Sequence, residues 1–103
     1  MIDEKTDSAK ATELANRTQD IGVPTMHIKV YSPFKVYFDE VGQSISAQNA
    51  TGPFDILARH HNFMTLLTPC ELVIRTHHGD QRIRISGGLM HVKADRVSVF
   101  LDI

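Results

Sequence analysis

The chain has 103 residues, which is enough for one domain with a modest core. Its 11 basic and 12 acidic side chains nearly cancel, and this excludes a nucleic-acid binder that depends on a strong positive field. A single cysteine, Cys70, excludes an intramolecular disulfide framework and fits a reducing compartment. No apolar run is long enough to span a membrane. The start of the sequence is acidic and polar, which is unlike a secretory signal. We therefore expect a soluble, cytoplasmic protein.

Residues 1–24 are predicted to form a polar amino-terminal arm. The arm has five acidic and three basic side chains: Asp3, Glu4, Asp7, Glu13, Asp20, Lys5, Lys10 and Arg17. Ser8 is a suitable cap for a short helix over residues 9–15, and Gly22 and Pro24 would end any helix. Because large apolar residues are scarce, the composition favours a solvated arm that is frayed or only partly helical.

Residues 25–103 are predicted to form an all-β domain, because apolar residues recur there at every second position. The apolar phases are Met26, Ile28 and Val30; Leu72 and Ile74; Ile83 and Ile85; and Val97, Val99 and Leu101. Short turn signals separate these runs, as in His78-Gly79-Asp80 and Ala94-Asp95. This pattern favours antiparallel hairpins folded into a sandwich.

The same phases predict the core. We expect Ile28, Ile74, Ile83, Ile85 and Val99 to be largely buried, since each lies on the apolar phase of its strand.

Six histidines raise the question of a metal site: His27, His60, His61, His77, His78 and His91. Their spacing argues against one. If the two adjacent pairs lie on strands, the members of each pair point to opposite faces and offer one ligand to any site. The sequence has no His-x-His, and we predict no metal site. A small metal-dependent β-sandwich enzyme is the less favoured alternative.

Three other features are candidates for chemistry. Cys70 lacks a basic neighbour, so a small buried side chain is favoured over a nucleophile. Ser86-Gly87-Gly88 lacks the lysine and helix of a phosphate loop, which favours a bulge or close strand packing. Arg75, Arg82 and Arg84 are predicted to share a solvated sheet face with nearby carboxylates.

The segment from residue 52 to residue 67 is the most distinctive of the chain. It is rich in large apolar residues but is interrupted by Arg59-His60-His61-Asn62. Two short buried strands joined by a polar loop fit this pattern. A loop positioned by a rigid core is well suited to contact a partner.

Seven motifs follow one another along the chain: Met26–Ser32, Val36–Phe38, Glu40–Gln48, the set Gly52, Ile56, Leu57 and His60, Met64–Leu67, Ser86–Leu89, and Val97–Asp102. In this order they resemble the amino-terminal β-sandwich domain of the F-type ATP synthase epsilon subunit family, in which the fourth motif reads Gly-x-x-x-Ile-Leu-Pro-x-His-Ala. The resemblance runs from about Met26 to Asp102. Ala58 and His61 depart from the family's Pro and Ala, and Pro53 stands where a polar or acidic residue is usual.

The resemblance implies a sandwich or flattened barrel of about ten strands. It also implies a non-catalytic central-stalk subunit, without cofactor, that couples rotation of the c-subunit ring to the gamma subunit and the catalytic head of a proton-translocating ATP synthase. The protein would then be cytoplasmic and peripheral to the inner (plasma) membrane. The partner interface implied is Thr51, Gly52, Pro53, Phe54, Asp55, Arg59, His60, His61 and Asn62.

The resemblance leaves one alternative open, which is a free-standing interaction module derived from epsilon. Typical family members continue into a two-helix hairpin that restrains ATP hydrolysis, and this sequence stops at Ile103. We therefore expect that this polypeptide does not hold a rotary ATPase in an inhibited state.

Overall fold

Nine β-strands account for most of residues 23–102, the part of the chain that the computed structural model describes. They are β1 (Met26–Tyr31), β2 (Val36–Gly42), β3 (Ser44–Asn49), β4 (Gly52–Leu57), β5 (Phe63–Leu67), β6 (Cys70–Thr76), β7 (Gly79–Ile85), β8 (Gly88–Lys93) and β9 (Arg96–Leu101). These described residues contain no helix. The predicted arm lies outside them up to residue 22, while Val23 and Pro24 are exposed.

The strands form a nearly closed, barrel-like sheet in the order β2-β1-β9-β8-β5-β3-β6-β7, with β4 paired to β3. A single residue pair, Asn49 with Leu67, joins β3 to β5, and there the sheet folds over on itself. The predicted all-β sandwich or flattened barrel is confirmed, with nine strands where about ten were expected. Every pairing is antiparallel except that of β1 with β9, which run parallel. This pairing places the first strand beside the last, inside the sheet and not at its edge.

The core lies between the inward faces of the strands. The fully buried side chains include Ile28, Val30, Ile45, Leu72, Ile74, Met90, Val97 and Val99. Four of the five predicted core residues are buried, and the fifth, Ile83, is half-buried. Ile83 has the predicted phase and packs on the core. Because it lies on β7, the edge strand of the sheet order, it is covered from fewer sides.

Two-residue turns join the clearest hairpins. Ala94 and Asp95 link β8 to β9 with φ angles of 49° and 60°, the left-handed pair that a tight hairpin turn requires. The Asp95 carbonyl also accepts a 2.9 Å hydrogen bond from the amide of His27, so this turn is fixed to β1. The corner of the domain below β1, β8 and β9 is therefore rigidly held, and a loop of the candidate site is anchored there.

Candidate subunit interface

The predicted interface occupies β4, the turn before it and the loop after it. Thr51 and Gly52 lie at one end of β4, while residues 59–62 lie at the other. The two strands with a connecting loop that the sequence predicted are present, but their burial was overestimated. Leu57, Met64 and Leu66 are exposed, since they face away from the core.

A groove of about 350 Å³ runs along the edge of β4 that bears no partner strand among the described residues. Six of the nine predicted residues line it: Thr51, Gly52, Pro53, Phe54, Asp55 and His60. The other three, Arg59, His61 and Asn62, are exposed on the loop and do not line the groove. The structure therefore places the predicted residues in two adjoining parts. Six of them line the groove, and the other three form an exposed polar loop beside it.

The turn that leads into β4 is shaped by an asparagine. The side-chain oxygen of Asn49 accepts a 2.9 Å hydrogen bond from the amide of Thr51, and its nitrogen donates to the hydroxyl of Thr65 at 3.1 Å. Such asparagine-backbone bonds are characteristic of turns. Gly52 follows with a φ of 130°, which side-chain-bearing residues rarely adopt. Pro53 lies on the free edge, where the missing N–H breaks no ladder bond and discourages strand addition.

Aromatic rings form the floor of the groove. The Phe54 ring packs edge-on against Phe63, with 5.8 Å between centroids, and His60 packs on Phe63 at 5.5 Å. Phe54 shares the inward phase of β4 with the buried Ile56 and is itself half-buried. Phe54 therefore contributes mainly to the core margin. Asp55 and Leu57 face outward on β4, and Ser46 donates a 2.6 Å hydrogen bond to the Asp55 carboxylate.

The loop after β4 is anchored to a distant turn. The amide of His60 donates to the Leu57 carbonyl at 3.3 Å, which closes a four-residue turn. Arg59, the third residue of that turn, has a φ of 68°. Its amide donates a 2.6 Å hydrogen bond to the carboxylate of Asp95, 36 residues away. The Arg59 side chain is thus presented to solvent by a fixed backbone.

We expect Arg59→Gly to stabilise the domain by up to about 1 kcal/mol. A left-handed conformation destabilises the folded state by about 1–2 kcal/mol at a residue with a β-carbon, and glycine removes this strain. Glycine also stabilises the unfolded chain by about 0.5–1 kcal/mol through its greater backbone freedom, which offsets part of the gain. Urea denaturation of the two proteins measures the difference. The matched control is Arg59→Ala, which removes the same side-chain atoms and keeps the β-carbon. An equal gain in both variants would show that backbone strain is not the cause.

Two sequence-based arguments about reactive groups have different outcomes. Cys70 is buried as predicted, and burial raises the pKa of its thiol against the opposing effects of a backbone hydrogen bond from Gln48 and the charge of Arg84. The argument that each adjacent histidine pair lies on a strand, with the two side chains on opposite faces, was wrong. Both pairs lie in a loop or turn, and their rings lie side by side, 4.6 Å apart for His60 and His61 and 4.3 Å for His77 and His78. Within residues 23–102, no three His, Cys, Asp or Glu side chains are grouped as a metal would require.

The predicted arginine face is confirmed on β6 and β7. Arg75 lies opposite Asp80, and Glu71 lies opposite Arg84. Arg82 donates to the Glu71 carboxylate at 3.1 Å. Each arginine therefore has an acidic neighbour, and the face holds three positive charges against two negative ones.

Sequence reasoning missed residues that complete the site. Asn49, Ile56 and Phe63 also line the groove, and the Asp95 carboxylate holds the loop. Asn49 carried a readable signal, since an asparagine that opens a tight turn characteristically accepts a hydrogen bond from the backbone amide two residues later, here that of Thr51. Asp95 carried none, because its partner is remote in sequence.

Comparison with known proteins identifies the family. The family described as ATP synthase, Delta/Epsilon chain, beta-sandwich domain matches residues 25–103, and the chain belongs to it. Within residues 23–102, the structure contains no helix of the length and apolarity needed to cross a membrane.

Individual relatives are named as ATP synthase epsilon chains. An ATP synthase epsilon chain of Ruthia magnifica subsp. Calyptogena magnifica is 31% identical over 78 residues, covering 76% of this chain and 56% of that one. One of Exiguobacterium sp. is 32% identical over 79 residues, covering 76% and 58%. This chain thus spans little more than half the length of these relatives. A chain in the Euglena gracilis mitochondrial ATP synthase structure has the same fold, with a TM-score of 0.70 at 22% identity, covering 77% of this chain and 52% of that chain.

Proposed function

We propose that this protein is a non-catalytic central-stalk subunit of a rotary ATP synthase. The observation that carries the proposal is the family match across residues 25–103, the whole β-domain. The proposal is supported by a chain of the same fold in a Tetrahymena thermophila mitochondrial ATP synthase structure that covers the central stalk and c ring, at a TM-score of 0.66 and 18% identity over 76% of this chain and 63% of that chain. The proposed work is mechanical, and its place is on the cytoplasmic side of the membrane that holds the ring. Residues 25–103 would be the working domain and residues 1–24 an appended arm.

A subunit that transmits torque must present its contacts on a stiff frame. In the loop after β4, the turn at Arg59 is held from both sides, by Leu57 within the segment and by Asp95 from the β8–β9 turn. Pro53 removes backbone freedom at the other end of β4. A prearranged contact surface loses less conformational entropy when it docks. This rigidity supports the segment from Thr51 to Asn62 as the contact with the c ring, and His60 as a residue near the boundary with gamma.

The chemistry of the segment defines what the partner must supply. Asp55, Arg59 and Asn62 are exposed and polar, so they suit the polar loops of a ring subunit. Leu57, 59% exposed on the same face of β4 as Asp55, adds an apolar contact. Phe54 is half-buried against Phe63, so polar side chains and Leu57 contribute more of the contact than Phe54 does.

Charge reversal at Arg59 tests the interface. We expect Arg59→Glu to weaken co-assembly with the gamma subunit and c ring about tenfold, because an exposed attraction of about 0.2–1 kcal/mol becomes a repulsion of similar size. The melting temperature of the isolated chain stays nearly unchanged, since the side chain is exposed and the backbone strain is the same for both residues. Quantitative co-purification with tagged gamma and ring measures the effect.

The matched control is Arg84→Glu, a reversal of an exposed arginine on β7, which is separated from β4 in the sheet by β3 and β6. It should leave assembly at full strength. If both reversals leave assembly intact while the wild-type chain co-purifies, the loop is not the contact. If the wild-type chain itself binds neither gamma nor ring, the free-standing interaction module becomes the better description.

A further inference from the structure

The outer face of strands β5, β8, β9, β1 and β2 carries a row of apolar side chains directly opposite one another. The strand registers align Leu66 with Leu89, Leu89 with Phe100, Phe100 with Tyr31, and Tyr31 with Val36. Leu66 is 73% and Val36 54% exposed, and Tyr31 meets Phe100 edge-on at 5.2 Å. We call these five residues the apolar row. Single exposed apolar residues are ordinary, whereas a contiguous row across five strands indicates a binding surface.

Two further rows on the same face are basic. The second row, from β8 to β2, is His91, Ser98, Lys29 and Asp39, and the third is Lys93, Arg96, His27 and Val41. These rows hold three lysine or arginine side chains and one carboxylate, and His27 is hydrogen-bonded to that carboxylate, Asp39. Lys29 lies over the ring of Tyr31 at 4.8 Å, which joins the basic rows to the apolar row. We call the three rows together the β1 face.

The opposite outer face differs in charge balance. There Arg75, Arg82 and Arg84 are accompanied by Glu71 and Asp80 on the paired strands β6 and β7. The rows of the β1 face therefore carry an excess of two positive charges, against an excess of one on the β6–β7 face, and this larger excess lies beside the exposed apolar row. A segment that is acidic and carries apolar side chains would complement this face.

The amino-terminal arm has this chemistry. Residues 1–22 contain five acidic and three basic side chains, together with Ile2, Leu14 and Ile21 and several alanines. The arm is joined through Val23 to Met26, the first residue of β1, next to His27 of the basic third row. A 22-residue segment is about 33 Å long even as a helix, whereas five strands span only about 19–24 Å. The arm can therefore reach every part of the β1 face.

We propose that residues 1–22 dock on the β1 face of their own chain, with the acidic side chains over Lys29, Lys93 and Arg96 and the apolar ones over the apolar row. The short connection raises the local concentration of the arm to about the millimolar range, so a weak pairing is populated without a second molecule. This inference goes beyond the rotor function, and its test requires only the isolated full chain.

The experiment is paramagnetic relaxation in the full-length protein. A spin label on Ser8→Cys reports which amides the arm approaches, and the buried Cys70 thiol does not compete for the label. We expect broadening at Leu89, His91 and Phe100 to exceed that at Glu71, Val73 and Arg84 several-fold. Raising the salt from 0.1 to 1 M shortens the screening length from about 10 to about 3 Å. This should reduce the difference in broadening between the two sets of amides.

Two arginines on opposite faces provide matched variants. Arg96→Glu should abolish most of the preferential broadening, and Arg84→Glu should leave it unchanged. Equal broadening on both faces of the labelled wild-type chain would overturn the proposal and leave a solvated arm. Broadening of equal strength in a mixture of spin-labelled chains with separate isotope-labelled chains would also overturn it, because the occupant would then be the arm of a second copy.

Discussion

Replacing Ile85 with alanine is expected to lower the free energy of unfolding by about 2–5 kcal/mol. Ile85 is 5% exposed at the end of β7 and lies opposite Cys70, another core residue. The substitution removes three carbon atoms from a packed interior whose neighbours are held in the β-ladder and fill the space only in part. Chemical denaturation with matched m-values measures the loss.

Ile83→Ala is the matched control, since it makes the same chemical change in the same strand and on the same face. Ile83 is half-buried, so less apolar surface returns to water and less of a cavity forms. We expect its cost to be smaller than that of Ile85→Ala. If Ile85→Ala lowered the free energy of unfolding by less than about 1 kcal/mol, Ile85 would not be closely packed at this end of β7.

The phase of the strands was predictable because it depends on local chemistry alone. Ile28, Ile74, Ile85 and Val99 all point inward, as alternation of apolar and polar residues requires. The hairpin turn at Ala94-Asp95 was equally readable. What alternation does not encode is how completely the opposite layer covers a strand, and Ile83 is half-buried for this reason.

The same limit explains β4 and β5. Their apolar density predicted burial, yet Leu57, Met64 and Leu66 lie on outer faces. A composition argument counts apolar residues without assigning them to a side of the sheet. The apolar row was invisible for a related reason, since it exists only through the register of five strands that are far apart in sequence.

The candidate interface was predictable as a segment but not as a shape. Family resemblance supplied residues 51–62, and the Gly-Pro and polar tetrapeptide signals marked its ends. The groove needs Phe63, and the loop needs Asp95 through one backbone hydrogen bond. Such long-range contacts depend on topology, above all on the antiparallel pairing of β5 with β8, which sets Phe63 opposite Val92 and so places the β8–β9 turn beside residues 59–62.

A second large effect is expected at the paired glycines where β8 begins. A β-carbon added at Gly88 would lie 2.7 Å from the backbone carbonyl oxygen of Phe100, far inside contact distance. Because that oxygen belongs to the central strand β9, relief requires moving the ladder between β8 and β9. We expect Gly88→Ala to cost about 1–3 kcal/mol, as overpacking typically does. For a domain of this size each kcal/mol lowers the melting temperature by about 4–8 °C.

Gly87→Ala is the control one residue earlier. Its added β-carbon would lie 3.1 Å from the Asp102 carboxylate oxygen, the far end of an exposed side chain that can turn away. Neither glycine has a positive φ, so backbone strain does not separate the two variants. Gly87→Ala should therefore be neutral, or stabilising by about 0.4–1 kcal/mol through the reduced freedom of the unfolded chain. Thermal melts that rank the two variants in the opposite order would contradict close strand packing at Gly88 as the reason for this motif.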